Sequence, residues 1–591
     1  MPSEKDRVAP GATNTDVECN SQTPSISNPT STQAGVTKVE ALAQAWGKSG
    51  LIVAYVGLLL GAIVQSLETM TTFVYTPAAT SAFALHSLLS TVGVVSSVLY
   101  ATVKPPVAKI SDVFGRTEAL SISLLLIVLG FIMKAASNNV DTYAASTVFS
   151  AAGSTGLIIF TQIFIADTTS LLNRALFSSL PDLPYLFTTW CGGPLAQAVG
   201  PQENWRWGYG MWAIVYPVAY LPLLFSLIMA HRRAKQLNLH PPKENSNRSW
   251  VQTIKETAVE LDLMGLVLLT AGLIMLLVPL TLTGTVGTWQ WKSAKTLCLI
   301  IFGVVVLVML VGWEMTKRLC AKPMVSLRFM SDPTIGGACA LGFFYFFVYY
   351  LPGAYFYTWL QVVRNYSVKE AGNISNTFTF SSSTISIIIS LAIKYTGHYK
   401  WWMMAGIPLY VLGYGLMIAF RTSTATTAQI VIAQVFTGIG GGTINVPAQV
   451  GLQATCRHQD VAIGTAMFLT FTSVGGAFGN AVTGAIWANL LPGYLEDKLA
   501  GTTAANATAL IYGNYFNALS YAVGSPERDA INSAYSDVYR IQLIVACCAA
   551  IPMIPLGLMM KNINLREEDL SNTKGTVIGN MSGEEKPSSI P

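Results

Sequence analysis

Apolar segments about as long as a bilayer-crossing helix recur along nearly the whole chain, and no other sequence feature restricts its fold as much. A helix rising 1.5 Å per residue needs roughly 20 mostly apolar residues to cross about 30 Å of hydrocarbon. Fourteen such windows are predicted, centred near Leu60, Val95, Leu126, Gly156, Thr189, Val218, Ala271, Val306, Tyr349, Ser383, Val411, Gly438, Gly475 and Val545. Hydrophobic residues make up 52% of the 591 and charged residues only 11%, with mean hydropathy +0.48. Soluble domains carry about a quarter charged residues, so a water-soluble fold could not hide this much apolar surface. The windows at Thr189 and Ser383 are diluted by Pro, Gly, Ser and Thr, as helices lining a protein interior can be.

The expected fold class is an all-α integral membrane protein with about 14 transmembrane helices, two six-helix bundles plus two extra helices. Its parts are a disordered cytosolic tail over 1–46, a first bundle over 47–230 and a central cytosolic loop over 231–260. Two linking helices over 261–330 follow, then a second bundle over 331–561 and a cytosolic tail over 562–591. Within the second bundle, 492–539 reads as a long external loop whose aromatic residues fold as a lid. Inner loops carry about seventeen Lys and Arg against about ten outside, which places both termini in the cytosol. The glycosylation sequons at Asn365, Asn373 and Asn506 then fall outside.

The net charge of +5 comes with no basic cluster interleaved with aromatics, so no nucleic-acid partner is expected. The eight cysteines show no C-x-x-C pair, and no metal or other cofactor is expected. Nucleotide loops and nucleophile signatures are missing too, so an enzyme is disfavoured.

Ionisable groups inside a membrane are costly and therefore draw attention. Glu68, beside Thr69, Thr71 and Thr72 in the first window, is the candidate proton carrier; the alternative is that the span ends early and leaves Glu68 in water. Asp167 with Arg174, and Asp182, lie near the inner boundary and read as structural salt bridges. The ninth window is dense in rings, and one helical face of it, Phe346, Tyr350 and Tyr357, is the candidate wall of a binding site. Asn445 and Gln449, four apart just beyond the glycines at Gly438, Gly440, Gly441 and Gly442, are candidate polar contacts. Gly192, Gly193 and Pro194 read as packing or hinge elements.

The stretch Ser111-Asp-Val-Phe-Gly-Arg-Thr-Glu-Ala119 resembles the major facilitator loop signature G-x-x-x-D-x-x-G-R. Asp112, Gly115 and Arg116 match it, whereas Ala108 replaces the first Gly and Val113 a common basic residue. These three are the candidate gating residues: a tight turn with a carboxylate and a guanidinium able to pair with helix ends. The full stretch is similar to the fungal siderophore-iron transporter family. So are Ile165 to Arg174, Asn204 to Met211, Leu360 to Ser367 with Ala371 to Ile374, Gly438 to Gln453, and His458 to Ala462. The resemblance implies a secondary transporter importing ferric siderophores of hydroxamate type by proton symport across a fungal plasma or endosomal membrane. Its partners are then the ferric siderophore, protons and the lipid bilayer. A bulky complex presenting carbonyl and amide groups needs aromatic walls with scattered donors, not a metal-ligating cluster. The alternative is a proton-coupled exporter of drugs or glutathione, which shares the loop signature and the Gly-Pro motif.

Overall fold

The computed structural model describes residues 48–82, 89–113, 115–169, 171–200, 204–237, 259, 262–282, 290, 292–316, 330–422, 425–456, 461–513 and 515–566. The N-terminal tail, nearly all of the central loop from residue 238 and the C-terminal tail from residue 567 lie outside them.

Among the described residues every regular element is a helix. The first half contains α1 (Lys48–Ala82), α2 (Leu89–Thr102), α3 (Lys104–Val113), α4 (Arg116–Ala136), α5 (Val140–Thr168), α6 (Leu171–Ser178), α7 (Tyr185–Val199) and α8 (Trp205–Gln236). Two linking helices follow, α9 (Leu263–Leu282) and α10 (Ala294–Met315). The second half holds α11 (Pro333–Arg364), α12 (Val368–Thr396), α13 (Lys400–Phe420), α14 (Thr427–Thr455) and α15 (Val461–Leu499). It closes with the short α16 (Thr508–Gly513) and α17 (Tyr515–Leu519), then α18 (Pro526–Ala550) and α19 (Met553–Met559).

Eleven of these stretches are long and apolar enough to cross a membrane, and they contain eleven of the fourteen expected centres. The other three, Val95, Thr189 and Gly475, fall on α2, α7 and α15, which are not among the eleven when the described residues alone are searched; α2 and α7 are short, at 14 and 15 residues, whereas α15 spans 39. Proline explains two of the three. Pro105 and Pro106 follow a break at Val103 that divides α2 from α3. Pro181 lies inside, and Pro184 just after, a single 3₁₀ turn, Leu180–Asp182, that divides α6 from α7.

Side chains fix where the helices start. Asn139 caps α5, Ser367 and Glu370 form a capping box on α12, Thr426 and Gln429 do the same on α14, and Ser525 caps α18. These four starts share one end of the bundle, called distal below; the opposite end, where α1 begins, is basal. At the basal end Asp332 caps α11 and pairs with Lys561 at 2.8 Å, tying the chain just after α19 back to α11. Partial burial opposes ionisation of Asp332, but the hydrogen bonds from Lys561 and Thr334 outweigh it and hold the carboxyl below its ordinary range.

The first-half core lies where α1, α4, α5 and α8 meet, filled by Leu124, Ile127, Phe131, Phe160, Tyr216 and Tyr220. In the second half, α14 packs into α12 and α13 while α11 packs into α15 and α18. The glycine run of α14 permits that approach: a Cβ on Gly440 would lie 2.4 Å from the Tyr410 amide nitrogen, and one on Gly442 would lie 2.2 Å from the Ser382 carbonyl oxygen. The linking pair α9 and α10 sits outside the seam between the halves, with Leu269, Leu273 and Leu277 against Val94, Val98, Ala477 and Ala481.

The external segment 492–539 is more helical than the sequence suggests. α15 runs on to Leu499 and α18 begins at Pro526, so only residues 500–525 connect them, bearing α16 and α17 packed on α15 and α11. Arg528, 1% exposed, clamps this cap by donating to the carbonyls of Ala518 and Val362, both at 2.7 Å.

Two outcomes check this packing. Gly442→Val should abolish recovery of monodisperse protein in detergent, whereas Gly415→Val, at a glycine with open space around its Cβ position, should leave it intact; equal recovery of both variants contradicts the packing. Arg528→Met should lower stability by about 2–4 kcal/mol, because buried carbonyls lose their donors. Arg528→Lys should recover only part of it, since an ammonium lacks the guanidinium fork. Unchanged thermal unfolding of Arg528→Met would contradict the clamp.

Candidate functional site

The halves meet along two helix pairings, α2 and α3 with α15, and α6 and α7 with α12. Side chains cross this seam along much of its length, most of them between mid-bundle and the basal end. Asn480 donates to Ser97 at 3.1 Å, Gln449 donates to Gln162 at 2.9 Å, and Asn376 donates to the Thr189 carbonyl at 3.3 Å. Ser386 donates to Asp182 at 3.3 Å, and Lys104 donates to the Leu469 carbonyl and to Ser473. An apolar plug of Ile159, Ile163 and Ala466 with Val107 and Leu469 closes the same basal region. The structure is therefore shut at its basal end.

Above that closure several ionisable and aromatic side chains of the two halves gather. Glu68, Tyr100, Asp182, Tyr185, Tyr349 and Tyr350 all sit deep in the protein yet keep accessible surface, as side chains facing an internal cavity do. They come from both halves and lie within electrostatic reach of one another: Tyr185 is close to Glu68, Asp182 and Tyr350, and Tyr100 is close to Glu68 and Tyr350.

Glu68 does not sit at a span end. α1 continues to Ala82, and Glu68 accepts from Thr72 at 3.1 Å and from the Tyr216 hydroxyl at 3.5 Å. Lys134 is in the last turn of α4, its ammonium 5.4 Å from the ring centroids of both Phe131 and Tyr209 and within electrostatic reach of Glu68. Tyr209 in turn bonds Tyr143 at 3.0 Å and Thr76 at 3.2 Å, so hydroxyl groups line the first half from near Glu68 toward the distal end.

The three rings predicted on one face of α11 part company. Phe346 and Tyr350 stack with centroids 6.3 Å apart and keep accessible surface. Tyr357 is buried in the second-half core close to Tyr515 of the distal cap, so the structure does not bring it to the other two. The cause is that α11 extends to Arg364, which places Tyr357 at the level of the cap. Tyr349 packs on Phe378, with centroids 4.8 Å apart. On α14, Gln449 is committed across the seam to Gln162, whereas the Asn445 side-chain oxygen is buried without a hydrogen-bond partner.

At the loop signature, Gly115 takes φ +123°, a conformation that favours glycine, and starts α4. Arg116 pairs with Asp167 at 3.0 Å and donates to Ser111 at 2.9 Å. This corrects the expected pairing of Asp167 with Arg174: the guanidinium ties α4 to the basal end of α5 within one half. The side chains of Asp112 and Arg174 lie outside the described residues. Asp182 likewise has no salt-bridge cation among the described residues, its hydrogen-bond partner being Ser386. Of the sequons, Asn365 and Asn506 are exposed and Asn373 is half-buried within α12, all toward the distal end.

Sequence reasoning missed Tyr100, Tyr185 and Lys104 as interior residues. The available signal was proline: Lys104 precedes Pro105 and Pro106, and Asp182 and Tyr185 flank Pro184, so each lies at a helix break that falls within the bundle instead of in a loop.

Two helical halves that meet along a seam, shut at one end by cross-half contacts, with eleven helices among the described residues long and apolar enough to cross a membrane, fit a protein of the major facilitator fold. The Major Facilitator Superfamily model matches residues 58–331. A structure of a bacterial homolog of the human lysosomal transporter Spinster aligns with TM-score 0.51 at 14% identity, covering 89% of this chain and 99% of that one. Among curated proteins, siderophore iron transporter mirC of Emericella nidulans is 45% identical, with 90% of this chain and 88% of that one covered. MFS siderochrome iron transporter C of Aspergillus fumigatus is 45% identical over 90% and 87%, and siderophore iron transporter 2 of Schizosaccharomyces pombe 36% over 87% and 87%. The chain belongs to the siderophore iron transporter family of the Major Facilitator Superfamily.

A double-mutant cycle on Arg116→Gln and Asp167→Asn should give a coupling of about 1–3 kcal/mol in unfolding stability, as for groups in direct contact. Additive losses would show that the pair does not act as a unit.

Proposed function

We propose that this protein imports intact ferric siderophores of hydroxamate type by proton symport. The observation that carries the reading is the ring-walled interior between the halves, which faces a bulky neutral complex with Tyr100, Tyr185, Phe346, Tyr349 and Tyr350 and offers the unpartnered Asn445 oxygen to a cargo donor. Aromatic walls with a few placed polar groups suit a ligand whose metal is already wrapped. The names of the curated relatives support the cargo class. Tyr357 is better assigned to the distal cap than to the cargo.

In this reading Glu68 carries the coupling proton, with Lys134 as its counter-charge and the hydroxyl series through Tyr209 and Tyr143 as its access from the distal side. Arg116 with Gly115 and Asp112 keeps the basal ends of α4 and α5 together as one rigid half during gating. The termini face the cytosol of a fungal cell, so the distal end faces outward across the plasma or an endosomal membrane and the structure is closed toward the cytosol. Asn506, exposed on a 3₁₀ turn of the cap, is the sequon best disposed to carry a glycan.

The test is uptake of radioactive iron, supplied as a panel of hydroxamate and catecholate complexes, in yeast without siderophore carriers of its own. Accumulation from a hydroxamate complex, abolished by a protonophore and by Glu68→Gln, is expected; Tyr350→Ala should raise the half-saturating cargo concentration about tenfold, the effect of losing one buried ring contact of about 1.4 kcal/mol. No accumulation from any complex despite surface expression would overturn import.

A further inference from the structure

Glu68 is not the sole carboxylate of the interior. Asp182 lies in the 3₁₀ turn between α6 and α7, held between Pro181 and Pro184, where the helix of the first half is broken. The turn faces α1 on one side and α12 of the second half on the other. The groups around its carboxyl are Ser386 of α12, at 3.3 Å, Tyr185 of α7 and Tyr345 of α11, with Glu68 of α1 beyond Tyr185. The nearest other formal charge in this set is therefore a like charge. No lysine or arginine among the described residues makes an ion pair with Asp182, and its hydrogen-bond partner is a serine hydroxyl of the opposite half.

A salt bridge would hold a carboxylate ionised at this depth; without one, the group sheds its charge by taking up a proton, and intramembrane carboxylates of this kind mark proton pathways. Asp182 also differs from Glu68 in what it touches. Glu68 bonds Thr72 and Tyr216, both within the first half, whereas the Ser386 bond spans the seam that must part when the basal end opens.

We propose that Asp182 is a second proton-carrying carboxylate of the transport cycle, whose protonation state is read by Ser386 of the opposite half. Ionised, Asp182 accepts the Ser386 hydroxyl hydrogen; protonated, it donates to the serine oxygen. Opening of the basal seam removes Ser386 and admits water from the basal side, to which the proton is released. The proton that replaces it enters from the distal side through the cavity, so one proton is taken up on one side and delivered to the other. The inference deepens the symport reading and rests on it, and the experiment separates the two.

Purified protein in lipid is followed by infrared difference spectroscopy as the pH is lowered from about 8 to about 5, the range in which perturbed carboxyls titrate. Wild type and Glu68→Gln should both gain a protonated-carboxyl band that Asp182→Asn lacks; an identical difference spectrum for Asp182→Asn overturns the proposal whatever the cargo. In proteoliposomes with a ferric hydroxamate, one pH unit should sustain about a tenfold cargo gradient in wild type for one proton per cargo. Asp182→Asn should bring the gradient to parity while cargo exchange at equal pH persists. Accumulation like that of wild type, or loss of exchange together with accumulation, would overturn the coupling role. Failure of wild type itself to accumulate would refute symport, while the infrared comparison would still decide whether Asp182 takes up a proton.

Discussion

The seam between the halves is built from hydrogen bonds between neutral groups and from one small apolar plug, and the rest of the structure depends on that choice. Gln162 with Gln449, Ser97 with Asn480, and Asn376 with the Thr189 carbonyl each trade a net stabilisation of about 1 kcal/mol for readily exchanged partners. Among the described residues the salt bridges lie elsewhere: Arg116 with Asp167, Lys561 with Asp332 and Lys498 with Asp537 are each within a single half. Strong ties make each half rigid, and weaker ties let the halves separate, which is what movement of a large cargo through a closed bundle requires. Lys104 and Asp182 are the exceptions in charge but not in kind, since Lys104 donates to a carbonyl and a hydroxyl and Asp182 accepts from the Ser386 hydroxyl, neither meeting an opposite charge among the described residues.

The two halves spend their aromatic residues differently. In the first, Tyr143, Tyr209 and Tyr216 use their hydroxyls, linking Thr76 and Glu68 into polar contacts between helices. In the second, the rings of α11 serve packing: Phe343 and Phe347 stack on each other toward α15, Tyr345 packs on Tyr410, and Phe356 and Trp359 stack on Tyr539. Phe346, Tyr349 and Tyr350 are half-buried, and Tyr350 lies within electrostatic reach of Tyr100 and Tyr185 of the first half. The first half is thereby equipped for charge, the second for shape.

Much of this was legible in the sequence, because span length and apolar content follow from the bilayer itself. Among the described residues, eleven expected centres fall in helices both long and apolar enough to cross a membrane, and the glycine of the loop signature adopts the backbone conformation its position demands. Asn445 and Gln449 were found by helical spacing, but that one would be committed across the seam and the other left unpartnered is a tertiary fact. Tyr357 shows the limit most clearly: spacings of four and seven place it on one face with Phe346 and Tyr350, yet nothing local reveals that α11 rises into a distal cap clamped by Arg528. Asp182 reads from the sequence as a boundary residue because charge ordinarily marks water, yet a proline break carries it, like Lys104, into the protein interior.

In the proposed transport cycle the seam opens at its basal end. The direct measurement is cargo exchange in proteoliposomes by a Gln162→Cys, Gln449→Cys variant bridged by a short, cleavable thiol reagent, compared with the same protein after reduction. If the basal contacts must part in each cycle, bridging stops exchange and reduction restores it. Exchange at an equal rate in the bridged and reduced forms would contradict the account, because cargo would then cross without separation of the halves.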